Sequence, residues 1–286
     1  MNNAEFKKQL GGIIDRAIAE DLGTAGDITS HALFSQKDIG GAVIKSKEKG
    51  VLSGAYLLAP LFSKIDPALS VSVLLADGAA LEPGTEICRL KGPVLSMLAG
   101  ERIALNFLQR LSGIATLTAL YAAAIRHTKA KLLDTRKTTP GLRALEKLAV
   151  RHGGGGNHRS GLFDMMLIKD THVKLCGGVA AALKKAMAFR GKAGRPKIEI
   201  EVQNPREFAE ALALRPDRIM LDNMSAEGMR GCVEKMLGCG MRVELEASGN
   251  ISPDNAAEVA ETGVDFISCG ALTHSAKALD IHCVIT

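Results

Sequence analysis

Tryptophan is absent from all 286 residues, and the aromatic share is only 3%. Platforms for stacking nucleic-acid bases are therefore scarce. A polybasic tail or stripe is missing too. The net charge of +5 is spread along the chain, which argues against a nucleic-acid partner. No unbroken apolar run approaches the roughly 20 residues that span a bilayer, so no membrane partner is expected. The acid-bearing, amphipathic segment from Met1 to Leu22 lacks the apolar core of a signal peptide. Cysteines 88, 176, 232, 239, 269 and 283 form no CxxC pair, so neither a zinc site nor a thioredoxin-like motif is indicated. Reduced thiols in a cytoplasmic protein are the expectation.

What is present is an ordinary globular composition, 47% hydrophobic and 23% charged. The length allows one large or two medium domains. A helix is predicted over 4–22, from the apolar face of Phe6, Leu10, Ile13, Ile14, Ala17 and Ile18. Short strands are expected around 42–46, 51–56, 69–75 and 86–90, bounded by Gly, Pro and Asp. The Asp77-Gly78 to Pro83-Gly84 spacing is that of small carrier domains, but no lysine occupies a hairpin tip; a structural α/β cap is the plainer reading. Helices follow at 93–112 and 116–127. The first carries a polar stripe of Arg102, Asn106, Gln109 and Arg110, either a solvated face or a surface for another subunit.

From residue 131 the pattern becomes strand-then-helix. Strands are expected at 131–134, 165–169, 198–202, 218–222, 242–247 and 264–269. Helices are expected at about 140–152, 174–191, 205–215, 225–239 and 253–262. Such alternation implies a parallel sheet with helices outside. Six strands make either an incomplete barrel or a full one with two strands unrecognised. The strand exits carry Thr135-Arg136-Lys137, Asp170, Gln203-Asn204, Asn223, Ser248-Gly249-Asn250 and Gly270, at the end where α/β barrels hold their active sites.

Strand parity adds chemistry, because alternate side chains face opposite ways. Ile198, Ile200 and Val202 oppose Glu199 and Glu201; Val243, Leu245 and Ala247 oppose Arg242, Glu244, Glu246 and Ser248. With the apolar faces against the outer helices, the carboxylates point inward and need cations. Lys169, Arg136 and Arg159 are the expected partners. Arg136, Lys137, His158, Arg159 and Lys169 suit a compact, multiply anionic ligand, and the glycines 153–156 allow positive φ beside it. Ser248-Gly249-Asn250 and Cys269-Gly270-Ala271, each followed by a helix, suit a phosphate; Cys269 would offer only its backbone N–H. The plainer alternatives are a core histidine at 158, structural ions at Glu201 and Asp222, and core methionines at 220, 224, 229 and 236.

Asp134-Thr-Arg-Lys-Thr-Thr-Pro-Gly141, Gly-Gly-Gly-Gly-Asn-His-Arg159, Leu-Ile-Lys-Asp170, Leu-Asp-Asn223, Ala-Ser-Gly-Asn250 and Cys-Gly-Ala-Leu-Thr-His274 together resemble the quinolinate phosphoribosyltransferase family, the carboxylating nicotinate-nucleotide pyrophosphorylases. The resemblance covers nearly the whole chain, including Glu20-Asp-Leu-Gly and Asp27-Ile-Thr. It implies an N-terminal α/β sandwich domain (residues 1–115), an open, incomplete seven-stranded α/β barrel (116–272) and a tail (273–286) that returns to the first domain. It implies synthesis of nicotinate mononucleotide, carbon dioxide and pyrophosphate from quinolinate and phosphoribosyl pyrophosphate, with magnesium, in NAD biosynthesis. It also implies a homodimer, or an assembly of dimers, in which Arg102 completes the partner's site. Position by position, Thr135, Arg136, His158, Arg159 and Lys169 match the quinolinate pocket. Lys137 matches the residue facing both substrate and pyrophosphate, Glu201 and Asp222 the acidic pair for ribose and magnesium, and Ser248, Gly249, Asn250, Cys269, Gly270 and Ala271 the 5′-phosphate loops. Gly156 and Thr171 depart from the commonest pattern without removing a charge. Two other readings compete: a barrel aldolase or isomerase using Lys169 as a Schiff base, and a non-catalytic paralogue such as those associated with molybdate transport operons, for which losses among the cations would be expected and none is seen.

Overall fold

The computed structural model describes residues 3–190 and 195–286. The chain divides into two compact units: residues 1–119, 138–154 and 273–286 form one, and residues 120–137 and 155–272 the other.

The first unit opens with α1 (Asn3–Leu22) and α2 (Ile28–Leu33). Asp27 caps α2 by accepting the amides of Thr29 and Ser30. Then come β1 (Ile39–Ser46), β2 (Gly50–Val51), a short 3₁₀ turn, α3 (Leu58–Ile65), β3 (Ser70–Val73), β4 (Ala80–Leu81), β5 (Glu86–Pro93) and α4 (Val94–Ile125), whose residues from 120 on count with the second unit. The strand expected over 51–56 stops at Val51, because the Asp77 carboxylate accepts the amides of Ala55 and Tyr56 and turns the run into the helical start of α3. An antiparallel sheet is ordered β12-β1-β5-β3, where β12 is Ile281–Ile285. On β1, Ala42, Ile44 and Ser46 alternate inward.

Two expected helices are one. Helix α4 runs unbroken for 32 residues, through Gly113, where a boundary was read. A Cβ there would sit 2.0 Å from the carbonyl oxygen of Lys277, so the glycine serves close approach, not chain reversal. By length and composition α4 is the one described helix able to cross a membrane, but 56% of its apolar window is buried inside the fold. Half of its polar stripe also turns inward. The Gln109 amide donates to the Ile281 carbonyl, and the Arg110 guanidinium to Glu146. Arg102 and Asn106 remain exposed. Helix α5 (Arg143–His152) groups with this unit, although residues 138–154 were expected within the barrel domain.

The second unit holds β6 (Lys131–Leu133), β7 (Met166–Ile168), α6 (Asp170–Cys176), α7 (Val179–Arg190), β8 (Ile198–Val202), α8 (Pro205–Leu214), β9 (Arg218–Asp222), α9 (Ala226–Gly238), β10 (Glu244–Ser248), α10 (Ala256–Glu261) and β11 (Phe266–Ser268). The short α11 (Ala271–His274) follows at once. The helix expected over 174–191 is two, parted at Gly177-Gly178. The strands form one parallel sheet, β6-β11-β10-β9-β8-β7. Among the described residues a seventh strand of this sheet is not formed. Its place beside β6 holds a single parallel bridge, Leu133 to Gly156.

Arg242, expected on the inner face of a strand, lies before β10 and pairs with Asp265 at 2.5 Å. Asp265 also accepts from the Leu245 amide at 2.9 Å and from Lys129 at 3.2 Å. Desolvation opposes this carboxylate, but Arg242, the amide and Lys129 outweigh it and hold its pKa below the ordinary aspartate value.

Two outcomes follow. Gly113→Ala gains up to about 1 kcal/mol of helix propensity but forces a backbone clash, so urea denaturation should show a net loss of about 1–3 kcal/mol. Asp265 binds protons less readily folded than unfolded, so its stabilisation is present above pH 3.8 and lost as pH falls through its depressed folded value. Asp265→Asn should lower stability at neutral pH by about 1–3 kcal/mol and flatten the acid limb of a stability–pH curve.

Candidate active site

All six strands bring a residue of interest to the sheet's inner face or C-terminal rim. In register, Glu199 of β8 stands beside Arg218 of β9, which stands beside Glu244 of β10; one step along, Glu201, Met220 and Glu246 are neighbours. Glu199 and Glu246 are wholly buried. Arg218 donates to Glu246 at 2.6 Å and to Glu244 at 3.1 Å, and its guanidinium lies 3.8 Å from the centre of the Phe266 ring. Lys169, just past β7, donates to Glu201 at 2.5 Å.

The sheet curls. His158, two residues beyond the bridge beside β6, places Nε2 3.1 Å from Glu199 on β8 and 3.4 Å from Glu246 on β10. Five strand spacings of about 4.8 Å would separate the bridge from β8 in a flat sheet, about 24 Å in all. The three ligand atoms lie within 4.8 Å of one another, close enough for a divalent cation. Desolvation disfavours charge on His158, while hydrogen bonds to Glu199 and Glu246 favour it, and the balance is upward. Burial, then the charge of Glu246, pushes Glu199 up to about 7. The backbone N–H of Arg159 donates to His158 Nδ1 at 2.7 Å.

Arg159 is half-buried and donates Nη1 to the Met165 carbonyl. Burial, then the neighbouring Arg136 guanidinium, works against its charge, while Glu199, Asp164 and Glu201 favour it. Thr135 Oγ1 accepts the Lys137 amide, and the Lys137 side chain is exposed.

On the exits of β9 and β10, Asn250 donates to Asn223 at 3.2 Å and Asn223 donates to Asp222 at 2.9 Å. Asn223 and Asn250 both adopt positive φ, 54° and 53°. A Cβ on Gly249, whose φ is +93°, would lie 2.1 Å from Asn223 Oδ1, so only glycine fits.

Residues 114–284 match the family description "Quinolinate phosphoribosyl transferase, C-terminal domain", and residues 27–112 match its N-terminal domain. The chain belongs to the quinolinate phosphoribosyltransferase family. It is similar to a probable nicotinate-nucleotide pyrophosphorylase [carboxylating] of Bacillus subtilis, at 40% identity over 100% of this chain and 95% of that one. It is similar in structure to NadC from Streptococcus pyogenes, at 37% identity and a TM-score of 0.92 over 98% and 97% of the two chains. A nicotinate-nucleotide pyrophosphorylase from Francisella tularensis gives 38% identity and 0.90 over 98% and 96%. The chain is accordingly a pentosyltransferase, moving a phosphoribosyl group with quinolinate as acceptor.

The structure brings several of the expected residues together at this rim and pairs others differently. Lys169 does pair with an inward carboxylate, Glu201. Glu199 and Glu246 face His158, and Glu246 takes Arg218 as well; Arg159, an expected partner, has its charge favoured by Glu199 and Glu201. The Cys269 amide is not available to a phosphate: it donates to the Leu133 carbonyl at 3.0 Å. Of the four glycines, Gly153 and Gly156 serve close packing, since a Cβ would lie 2.3 Å from the Ala115 carbonyl and 2.9 Å from Leu133 Cδ2 respectively; only Gly154 has positive φ. Ser248 is half-buried with its carbonyl accepting the Asn223 amide, and Gly270 leads directly into α11. Sequence reasoning missed Arg218, and it named Asn223 as a polar strand exit without giving it a role. The signal for Arg218 was available, because Arg218, Met220 and Asp222 share the parity that puts Glu199 inward.

Arg218→Ala should cost about 3–5 kcal/mol in chemical denaturation, because it leaves the Glu246 carboxylate buried beside an empty position.

Proposed function

We propose that the chain makes nicotinate mononucleotide, carbon dioxide and pyrophosphate from quinolinate and phosphoribosyl pyrophosphate, at the rim of the curled sheet. What supports the residue assignment most is the repulsion that the Arg136 charge exerts on Arg159. A half-buried guanidinium with a like charge beside it is relieved by a dianion, and planar forks suit carboxylates. Thr135, Arg136, Arg159 and Lys169 grip the diacid, and Lys137 bridges it to the pyrophosphate. The glycine-bearing loops Ser248–Asn250 and Gly270–Ala271 receive the 5′-phosphate.

Departure of pyrophosphate leaves positive character on the ribose carbon and negative charge on the leaving group. Glu201 and Asp222 favour the first, and the cations favour the second. Loss of carbon dioxide then needs negative charge stabilised at ring carbon 2. No covalent nucleophile is involved; the chain positions and stabilises.

Oxygen donors at Glu201 and Asp222 fit magnesium. Asp222 has one carboxylate oxygen engaged by Asn223 and the other without a hydrogen bond among the described residues, whereas Glu201 is already held by Lys169. Bound there, magnesium would neutralise the pyrophosphate. The same ion pair argues against an aldolase, whose Schiff-base lysine must be neutral. A homodimer in which the exposed Arg102 acts in the neighbour's site, and a cytoplasmic location, complete the proposal. Six unpaired cysteines fit a reducing compartment.

A coupled assay for nicotinate mononucleotide from the two substrates and magnesium tests the activity; no product would refute it. Arg136→Ala or Arg159→Ala should lower turnover by about 10²–10³-fold with the fold retained, and a near-normal rate at saturating quinolinate would remove these residues from the pocket. Mixing Arg102→Ala subunits with Lys169→Ala subunits should restore activity through hybrid sites. No recovery would count against the action of Arg102 in trans.

A further inference from the structure

The ion pair of Arg110 and Glu146 takes no part in the proposed chemistry, yet it grips the chain two residues beyond Lys137. Glu146, on α5, is wholly buried. Its Oε1 accepts from Arg110 Nη2 at 2.9 Å, from Arg110 Nε at 3.1 Å and from the Thr139 hydroxyl at 2.7 Å. Its Oε2 accepts the Thr139 amide at 3.0 Å. One threonine thus gives two donors to one carboxylate. The Thr139 carbonyl is engaged too, accepting the Leu142 amide at 3.0 Å across Pro140 and Gly141. Gly141 has a φ of 80°, as the third residue of a type II turn requires. Next to it, the Thr138 hydroxyl accepts from Arg143 Nε at 2.9 Å. Arg110 is fixed in turn, since Nη1 donates to the Ala276 carbonyl at 3.1 Å and Nη2 also to the Thr273 carbonyl. Arg110, Thr139, Glu146, Thr273 and Ala276 all belong to the first unit.

The asymmetry of burial gives this contact its direction. Thr139 is exposed, so water can satisfy its donors in many loop conformations. Glu146 has no such recourse. A loop that moves away strips a buried carboxylate of the donors to Oε2 and to part of Oε1, and that penalty falls on every displaced conformation. We propose that Glu146 is a positioning residue for Lys137. It removes backbone freedom at Thr139, on one side of the lysine. On the other side Thr135 Oγ1 accepts the Lys137 amide at 3.1 Å. The exposed lysine is bracketed by two restraints within five residues of chain, so its backbone is ordered before any substrate arrives. The proposal rests on the reading of Lys137 as the group that bridges the diacid and the pyrophosphate. The competing account is that the ion pair only fastens α5 to α4.

Two measurements separate these accounts. Thr139→Val removes the hydroxyl donor and keeps the shape and the amide; Thr139→Ser keeps the donor. Thr139→Val should lower kcat about tenfold while KM for quinolinate stays within about twofold, and Thr139→Ser should recover most of the loss. Unchanged kcat, or no recovery by the serine variant, would overturn the proposal. Hydrogen exchange read by mass spectrometry gives an answer without turnover. Thr139→Val should speed exchange across residues 136–142 about tenfold and leave residues 143–152 of α5 as they were. No local change, or a rise shared with α5, would overturn the proposal in favour of a fastening role. Absence of product from the unaltered protein would instead overturn the functional reading beneath it, and the exchange pattern would still decide whether Glu146 orders the loop.

Discussion

The controlling constraint in this molecule is the desolvation of glutamates on the inner face of a parallel sheet. A buried, unmatched carboxylate costs several kcal/mol, against a total stability of about 5–15 kcal/mol for a domain. Glu199, Glu201 and Glu246 are all buried, so each needs a donor at a fixed register. Arg218 answers Glu246, Lys169 answers Glu201, and His158 answers Glu199. The curl of the sheet is what lets a residue beside β6 reach β8. Architecture and charge balance therefore specify each other.

The interior is graded along the strand direction. The layer of Glu199, Arg218 and Glu244 lies deeper in the strands, where Arg218 donates to Glu244 and to Glu246. Glu201 and Asp222 lie at the exits, where matching is looser: one has a partly exposed lysine, the other an asparagine side chain. Looser matching is what a substrate or a cation requires. Asn223 ties these layers to the loop at Gly249, so the acidic exit of β9 and the glycine turn after β10 share one hydrogen-bonded unit.

Much of this was legible in the residues. All six expected parallel strands are present, and the alternation of Glu199 and Glu201 against Ile198, Ile200 and Val202 correctly put carboxylates inside. What was not legible depends on partners far away in the chain. Nothing near Gly113 announces that Lys277 will press on it, so a helix was ended where it continues. Nothing near Cys269 shows that Leu133 will take its amide. Arg218 opens its strand, a place that looks like a solvated edge until β10 is known to carry Glu244 and Glu246 beside it. The block resemblance located the pocket residues by type, but pairing followed register, which one sequence does not print.

The replacement of a seventh strand, among the described residues, by a single bridge has a stereochemical consequence. A regular strand throws consecutive side chains to opposite faces. After the lone bridge at Gly156 the backbone leaves the ladder, and that alternation no longer binds it. Sequential neighbours can then serve a single cavity: the imidazole meets two interior acids while the next residue's guanidinium answers to Glu199 and Glu201 as well. Irregular backbone here doubles the number of basic groups that one short segment can supply to the same enclosed volume.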